Sequence, residues 1–241
     1  MLLPVKGGIM SLLDRPISNL VLLSLRPDDL AILGPFAMVD LELRQVLQGA
    51  NDPMKFVYFP EGALVSVVAN APGRKDIEVG IVGIDGMTGL ALAQGDMQSP
   101  FESFVQVAGA ARRIGADHLL ASVKRSPTLK ALLLLHGRAF ELQVASTTVA
   151  NGRYRLEERL ARWLVMVGDR VGDSFAITHE FLGLMLGVRR SGVTVALQIL
   201  VERGLIRVSR GNIVILDRPS LIKATQGSYG MAEREGERLV G

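Results

Sequence analysis

The chain has 241 residues, 49% of them apolar and 21% charged, which is typical of a globular protein with enough apolar mass for one large domain or two smaller ones. It contains no cysteine, so disulfides, thiolate-held zinc, thiolate-held iron–sulfur clusters and thiol catalysis are excluded. Residues 1–150 carry 13 Lys and Arg against 14 Asp and Glu, whereas residues 151–241 carry 14 against 10. This basic excess in the C-terminal third fits either chance or a DNA-facing domain.

Metal sites and membrane association have little support in the sequence. The three histidines, His118, His136 and His179, are too scattered to suggest a metal site. No apolar run approaches the roughly 18 residues that span a bilayer, and the first ten residues lack the continuous apolar stretch of a signal peptide. We therefore expect a soluble, cytoplasmic protein with no metal, no cofactor and no membrane association.

The residue pattern of the first half of the chain changes near residue 56. Over residues 12–47 the apolar positions are spaced by three and four, as in helices, with interruptions at Pro27 and Pro35. Over residues 56–113, short β-prone runs alternate with turns rich in Pro and Gly. This part of the sequence predicts N-terminal helices followed by a compact antiparallel barrel or sandwich.

A long helix is predicted from Ser126-Pro127, which suits a helix start, to Asn151-Gly152, which would break the helix and mark a domain boundary. Six residues inside it recur with heptad-like spacing: Leu132, Leu135, Ala139, Leu142, Ser146 and Val149. The small side chains in this row would let two helices approach closely. The pattern fits either a seam between two copies of the chain or a core helix packed on its own sheet.

Beyond residue 152 the pattern indicates a small α+β unit. An amphipathic helix would place one group of apolar residues on a single face: Leu156, Leu160, Trp163, Leu164 and Val167. A short strand is predicted over residues 175–177, and a hairpin over residues 205–216. The hairpin turn runs from Ser209 to Asn212, and its Gly211 suits a position with positive φ.

Between that strand and the hairpin, residues 178–201 predict two short helices joined by a glycine turn. Thr178 suits an N-cap, Gly187 can take the left-handed conformation that ends a helix, and the second helix begins near Arg189. One set of apolar residues would face inward and clamp the helices together: Leu182, Leu186, Val188, Val193, Ala196 and Ile199 or Leu200. This predicts a helix-turn-helix, although a helical hairpin with a solvated basic end fits the same pattern.

The outer face of the second helix is the candidate surface for reading a DNA major groove. After Arg189, its exposed positions are Arg190, Ser191, Thr194 and Val195. An arginine there can pair with guanine O6 and N7. Two further arginines, Arg207 and Arg210, lie on the hairpin, where they would meet phosphates beside the groove.

Taken in order, these elements resemble the CRP/FNR family of bacterial transcription regulators. The resemblance is carried by residues 158–170, by the helix-turn-helix at 177–206 and by the hairpin after it, and upstream by residues 58–69 and 83–92. It implies an α+β protein with an N-terminal antiparallel β-roll like that of cyclic-nucleotide-binding domains, flanking helices, a long dimerisation helix and a C-terminal winged helix-turn-helix. The expected divisions are a sensor over 1–125, the long helix over 126–151, the DNA-binding domain over 152–225 and a tail over 226–241.

The resemblance also implies roles for individual residues. Arg190 matches the family's principal base-reading arginine, and Thr178 and Arg189 match phosphate-contacting positions. Ser191 stands where many members have a glutamate that accepts a hydrogen bond from cytosine, and Val195 stands where a second base-reading arginine can occur. Gly192 replaces a phosphate-binding threonine. The operator is therefore expected to differ from the familiar one, since Val195 offers only contact with a thymine methyl group.

The sensor departs further from the cyclic-AMP-binding pattern of a Gly-Glu-x-x-Gly turn followed by an Arg-Ser pair. Its turn reads Gly86, Met87, Thr88 and Gly89, so that a methionine takes the glutamate position, and no Arg or Lys occurs between Asp85 and Ala111. A buried phosphate would be poorly compensated there. We therefore do not expect classical cyclic-nucleotide binding, and no pattern specific for haem is present.

The sequence thus predicts a homodimeric, sequence-specific DNA-binding regulator that responds to an unidentified effector or to none. Its expected partners are double-stranded DNA with a two-fold-symmetric site, a second copy of itself and, if it activates transcription, RNA polymerase. The alternative is an effector-binding sensor that acts mainly through protein partners and has a weak or non-specific DNA domain. An enzyme is not expected, because the chain lacks a Gly-x-Ser-x-Gly elbow and the helix that a dinucleotide fingerprint needs.

Overall fold

The computed structural model describes residues 16–70 and 76–240. It begins with two short helices, α1 (Leu20–Leu23) and α2 (Pro27–Leu33), and then passes into strands β1 (Ala37–Leu41) and β2 (Val46–Gln48). The predicted helical texture over 12–47 is therefore wrong beyond α2, and residues 12–15 lie outside the described part. Pro35 disfavours a helical continuation, and β1 instead pairs with a distant strand.

The predicted antiparallel strands form two sheets. Their members are β3 (Phe56–Pro60), β4 (Leu64–Ala69), β5 (Ile77–Val82), β6 (Phe101–Val107) and β7 (Gly109–Gly115), with the short helix α3 (Ala91–Gln94) between β5 and β6. One sheet has the order β1-β7-β3 and the other the order β2-β6-β4-β5, and all their pairs are antiparallel. Buried residues of both sheets, such as Tyr58 and Val105, belong to one cluster, so the sheets pack face to face as a β-roll.

Helix α4 (Ala116–Arg125) leads into the long helix α5 (Pro127–Arg153). Ser126 caps α5 as its sequence predicts, since the hydroxyl oxygen accepts a hydrogen bond from the Leu129 amide at 3.1 Å. The predicted break at Asn151-Gly152 is wrong, because the helix continues to Arg153. A glycine in the last turn costs only about 1 kcal/mol, and the hydrogen bond from Tyr154 N to Ala150 O keeps that turn closed.

The C-terminal unit has the predicted order of elements and two helices that were not predicted. It comprises α6 (Leu156–Val171), β8 (Ser174–Ala176), α7 (His179–Met185), α8 (Arg190–Glu202), β9 (Ile206–Ser209), β10 (Asn212–Ile215), α9 (Arg218–Ala224) and α10 (Met231–Val240). Its sheet has the order β8-β10-β9. One buried cluster joins α6, α7 and α8 to Leu64, Ile81 and Phe104 of the β-roll, so the two halves of the chain share a core.

Helix α10 lies in the region predicted to be a tail, and it packs on α5. A β-carbon at Gly236 would meet the Ala139 methyl group at 3.7 Å, which marks the point where the helices meet. The α+β class, the antiparallel β-roll, the long helix and the C-terminal helix-turn-helix are confirmed.

Candidate functional site

Helices α7 and α8 form the predicted helix-turn-helix. Their axes are bent by 103°, within the range of this motif. Thr178 caps α7 by accepting a hydrogen bond from the Phe181 amide at 3.2 Å, and Gly187 has a φ of 65° in the turn. Gly183 lies at the closest approach, where a β-carbon would be 3.0 Å from the Val188 carbonyl oxygen. The two glycines therefore fix the angle between the helices.

The predicted apolar clamp lies between these helices. Its fully or almost fully buried members are Leu182, Leu186, Val193, Ala196 and Leu200, and the half-buried Val188 packs against the same cluster. Because one face of α8 is held by this core, the residues on the opposite face must point to solvent.

Arg190, Ser191 and Val195 are exposed on that outer face, and the Val195 side chain is 56% accessible. Thr194 differs, because it is half-buried and its hydroxyl donates to the Arg190 carbonyl oxygen at 3.1 Å. The same hydroxyl lies 3.1 Å from His179 Nδ1. Arg190, Ser191 and Val195 are thus presented to solvent, whereas Thr194 is held within the motif.

Arg189 occupies the N-cap position of α8, and no side-chain hydrogen bond caps this end of the helix. Arg189 and Arg190 are both exposed at this end of the helix. Uncapped amides and adjacent cations at a helix N-terminus favour a phosphate oxygen.

The hairpin β9–β10 forms the predicted wing. Arg210 and Gly211 at its tip have φ values of 48° and 77°, the combination required by a type I′ turn. The sequence pointed to Gly211 as a position with positive φ but not to Arg210. Arg207 and Arg210 are both exposed, and the hydrogen bond from Ile177 N to Gly211 O ties the turn to the start of the helix-turn-helix.

A buried carboxyl group, Glu78, lies where the β-roll meets the C-terminal unit. Its oxygens accept hydrogen bonds from the Ser66 hydroxyl at 2.6 Å and from the Trp163 indole nitrogen at 2.8 Å. Burial raises the pKa of Glu78 to about 7, against the opposing effect of these two bonds and of the nearby Arg162 and Arg170. The group therefore titrates near neutral pH.

Further contacts hold α7 on the same sheet of the β-roll. The rings of Phe104 and Phe181 meet edge to face at 5.7 Å, and the Ser66 hydroxyl lies 3.4 Å from the Met185 sulfur. Sequence reasoning missed this junction. Its only signal is a glutamate inside the otherwise apolar strand β5.

The predicted effector turn is rigidly held in the β-roll. Met87 is buried, and Gly89 has a φ of 71°. The backbone amide of Thr88 donates to the Tyr58 carbonyl, and its hydroxyl accepts from the Tyr58 amide, both at 2.9 Å. Met87 and Gly89 line a cavity of about 550 Å³ between the β-roll and α5. The volume suits a small molecule.

A second cavity, of about 720 Å³, lies on the other side of α5, where α6 and α10 approach the β-roll. His136 is buried at its wall, and burial lowers the pKa of this imidazole to about 4. His136 is therefore neutral at pH 7. Among residues 16–70 and 76–240, no group of three or more His, Cys, Asp or Glu side chains is placed to hold a metal ion.

The predicted seam of α5 is divided between two surfaces. Leu135 and Val149 are exposed and Leu142 is half-buried. In contrast, Leu132 packs against the sensor core, Ser146 is buried and Ala139 faces α10. The exposed part of the helix also includes Ala131, Leu134, Arg138 and Ala145.

Comparison with known proteins supports the architecture described above. Residues 158–224 match the family model of the Crp-like helix-turn-helix domain. No curated protein sequence matches the chain.

In the part of the chain that the structure describes, no single helix is long and apolar enough to cross a membrane, and only α7 and α8 taken together pass that test.

Solved structures share the fold at low sequence identity. FixK2 from Bradyrhizobium japonicum has a TM-score of 0.68 at 15% identity over 79% of this chain and 98% of its own. A crp/fnr-family transcriptional regulator from Eubacterium rectale has a TM-score of 0.65 at 17% identity, over 84% of this chain and 96% of its own. A CRP/FNR-family regulator from Thermus thermophilus has a TM-score of 0.63 at 18% identity, over 80% of this chain and 100% of its own.

The chain therefore has the fold that these solved structures share, a β-roll followed by a winged helix-turn-helix. More narrowly, it is the CRP/FNR fold, and residues 158–224 match the model of the Crp-like helix-turn-helix domain.

Proposed function

We propose that the protein is a homodimeric, sequence-specific DNA-binding transcription regulator of CRP/FNR type whose β-roll senses an effector. The observation that carries this proposal is the solvent-facing first turn of α8. There, Arg189 and Arg190 are exposed while the opposite face of the helix is locked onto α7 at 103°. A helix held in this way can enter a major groove with its N-terminal residues leading.

Each exposed group on this surface has a distinct role in the proposed complex. Arg190 pairs with guanine O6 and N7, Ser191 bonds to a base edge, and Val195 contacts a thymine methyl group. Thr194 contributes mainly by holding the first turn of α8, since its hydroxyl is already bonded. Thr178, Arg189 and the two wing arginines, Arg207 and Arg210, contact phosphates.

The exposed side of α5 supports the homodimer. Leu135, Leu142 and Val149 recur every seven residues, and Ala131, Arg138 and Ala145 lie beside them on the same exposed side. A second copy that covers this row would remove apolar surface from water and form a coiled-coil seam. The two reading helices of such a dimer would meet a two-fold-symmetric site. Where the protein activates transcription, RNA polymerase is the expected further partner.

The test of DNA reading starts with binding-site selection on the purified protein, followed by fluorescence anisotropy on the selected duplex. Arg190→Ala is expected to weaken specific binding by about 1–3 kcal/mol. Arg238→Ala is the matched control, because it removes the same charge from an exposed position on α10. Equal affinity of wild type and Arg190→Ala for the selected site, with no preference over random DNA, would favour the sensor that acts through protein partners.

The dimer is tested by the double variant Leu135→Glu and Val149→Glu, with sedimentation as the measurement. Two carboxylates in a buried seam are expected to give a monomer that binds the selected site far more weakly. Leu43→Glu is the control, because Leu43 is a similarly exposed leucine in the β-roll. A double variant that sediments as a dimer would contradict the assignment of this face.

A further inference from the structure

The cavity between the β-roll and α5 has an apolar interior. Strands and turns of the β-roll contribute Met54, Phe56, Val82 and Met87 to its wall, and α5 contributes Phe140 and Val144. At about 550 Å³ it is large enough to bury most of a small ligand. An apolar molecule would gain free energy there in proportion to the surface that it removes from water.

The charges that line this cavity disfavour an anionic ligand. Among the described residues that line it there is no Lys, Arg or His, and its only ionisable side chains are the carboxylates of Asp96 and Glu141. Both are exposed at the rim. At the rim, Glu141 forms an ion pair with Arg138 at 3.0 Å. A phosphate or carboxylate that entered further would lose its hydration without gaining a cation inside the cavity.

Several polar groups of the wall already have partners within the protein. The Thr88 hydroxyl accepts from the Tyr58 amide, and the Gln48 side-chain amide donates to the carbonyl oxygens of Gly49 and Asp52. Because these groups are occupied, they offer little to a strongly polar ligand. Other polar side chains of the wall, such as Gln94 and Ser103, are uncharged, so the site suits an apolar body with at most a neutral polar end.

We propose that this cavity binds an uncharged, predominantly apolar small molecule and that its occupancy sets the position of the helix-turn-helix. The second half of this statement rests on the proposed function.

Strand β5 is the structural link between the cavity and the DNA-reading unit. Val82, at one end, lines the cavity. At the other end Ile77 lies against the turn of the helix-turn-helix, where a β-carbon on Gly187 would be 3.2 Å from its Cδ1. Between them Glu78 bonds to Trp163 of α6. A shift of β5 that accommodates a ligand therefore reaches α6 and the turn directly.

Helix α5 is fastened to the middle of the same strand. The Gln143 side chain accepts from the Ile81 amide at 2.7 Å and donates to the Ile81 carbonyl at 3.2 Å. One turn away, the Phe140 ring lies so close to Gly80 that a β-carbon there would be 2.8 Å from it. Because Phe140 also lines the cavity, a ligand that displaces its ring acts on β5 without an intermediary.

A substitution at Gly137 can place a side chain inside the cavity. It lies inside α5, lines the cavity, and a β-carbon on it would meet only Gln94 Nε2, at 3.6 Å. Gly137→Leu therefore places a branched apolar side chain in the ligand space. Gly152→Leu is the matched control, because Gly152 lies on the same helix, is exposed, and has nothing within 4 Å of its β-carbon position.

The binding test uses the full-length protein and the uncharged fluorescent probe N-phenylnaphthylamine. We expect saturable binding to the wild type and to Gly152→Leu, and binding at least about tenfold weaker to Gly137→Leu. We also expect decanol to displace the probe at a concentration at least about tenfold lower than decanoate, and cyclic AMP to leave the probe bound. Equal binding of the probe by both leucine variants, or displacement by decanoate as effective as by decanol, would overturn the site. The comparison of decanol with decanoate uses the wild type, so it holds even if Gly137→Leu does not fold.

The signalling half has a separate readout, which is the affinity of the wild type for its selected DNA site with and without decanol. A change of at least about threefold that is absent from Gly137→Leu supports it, whereas an unchanged affinity with the probe still displaced overturns signalling and leaves the site intact. Failure of the proposed function shows differently, as DNA binding that is insensitive to Arg190→Ala.

Discussion

The outer face of α8 and the cavity of the β-roll differ in the charged side chains that they present to a ligand. Arg189 and Arg190 stand side by side in water, where their repulsion is screened and a polyanion can replace water at low cost. The described residues that line the cavity include carboxylates only at the rim, and none of them is a cation. One surface therefore suits a highly charged partner, whereas the other suits a molecule that carries no charge.

The largest effect is expected from a substitution beneath the outer face of α8. Leu182 is fully buried between α7 and α8, so Leu182→Ala is expected to lower the free energy of unfolding by about 2–5 kcal/mol. Urea denaturation measures this, and Leu216→Ala, at an exposed leucine, should change it little. Because the two halves of the chain share a core, the probe should leave the cavity over the same urea range in which the fold is lost, and probe binding that outlasts unfolding would contradict the shared core.

The next largest effect concerns Glu78, which lies at the boundary of the two regions. Its pKa rises from 4.5 to about 7 on burial, so the folded state holds this proton more tightly than the unfolded state does. The contribution of Glu78 protonation to the free energy of unfolding is therefore largest below pH 4.5. It falls by about 1.4 kcal/mol per pH unit as the pH rises towards 7. Above pH 7 it no longer changes.

Glu78→Gln removes this titration while keeping the shape of the side chain. The difference in unfolding free energy between Glu78→Gln and the wild type is therefore expected to shift in favour of the variant between pH 5 and pH 7, as measured by urea denaturation at each pH. A difference that stays constant with pH would show that Glu78 does not titrate in this range. Glu102→Gln in β6 serves as a control on a less buried carboxylate.

A smaller effect is expected at the turn that orients the reading face. Gly187 has a φ of 65°, a conformation that costs a residue with a β-carbon about 1–2 kcal/mol. Gly187→Ala should lower the thermal midpoint and weaken DNA binding, whereas Gly152→Ala, in the regular helix α5, should be neutral or stabilising. Equal thermal midpoints for the two variants would contradict the role given to the turn.

The smallest effect is expected in the wing, from a substitution of Arg210. Arg210 has a φ of 48°, so Arg210→Gly removes a charge while relieving the backbone. The dependence of log affinity on log salt should become shallower by about 0.9, with no change in which sequence is preferred. Titrations at several salt concentrations measure this slope, and a changed sequence preference would assign Arg210 to base reading.

The helix-turn-helix could be predicted from sequence because its signals are local. Thr178, Gly187 and the spacing of the apolar residues between Leu182 and Leu200 each specify a backbone feature within a few residues. The strands β1 and β2 could not, because their apolar spacing also fits a helix and only the pairing of β1 with β7 decides between them.

For the candidate site too, only the features with local sequence signals could be predicted. Heptad spacing describes the row that contains Leu135 and the row that contains Ala139 equally well, and only α10, which covers Ala139, distinguishes them. Glu78 is one acidic residue in a strand, and its partner Trp163 lies 85 residues away. A contact of that range leaves no local pattern.

Phe140 is part of the wall of both cavities, together with Val82, Met87 and Leu90. These four side chains therefore form the partition between the two spaces. Phe140→Ala would remove the largest side chain of this partition. The size of the Phe140 side chain thus limits how far a ligand bound in the cavity of the β-roll can extend towards the second cavity.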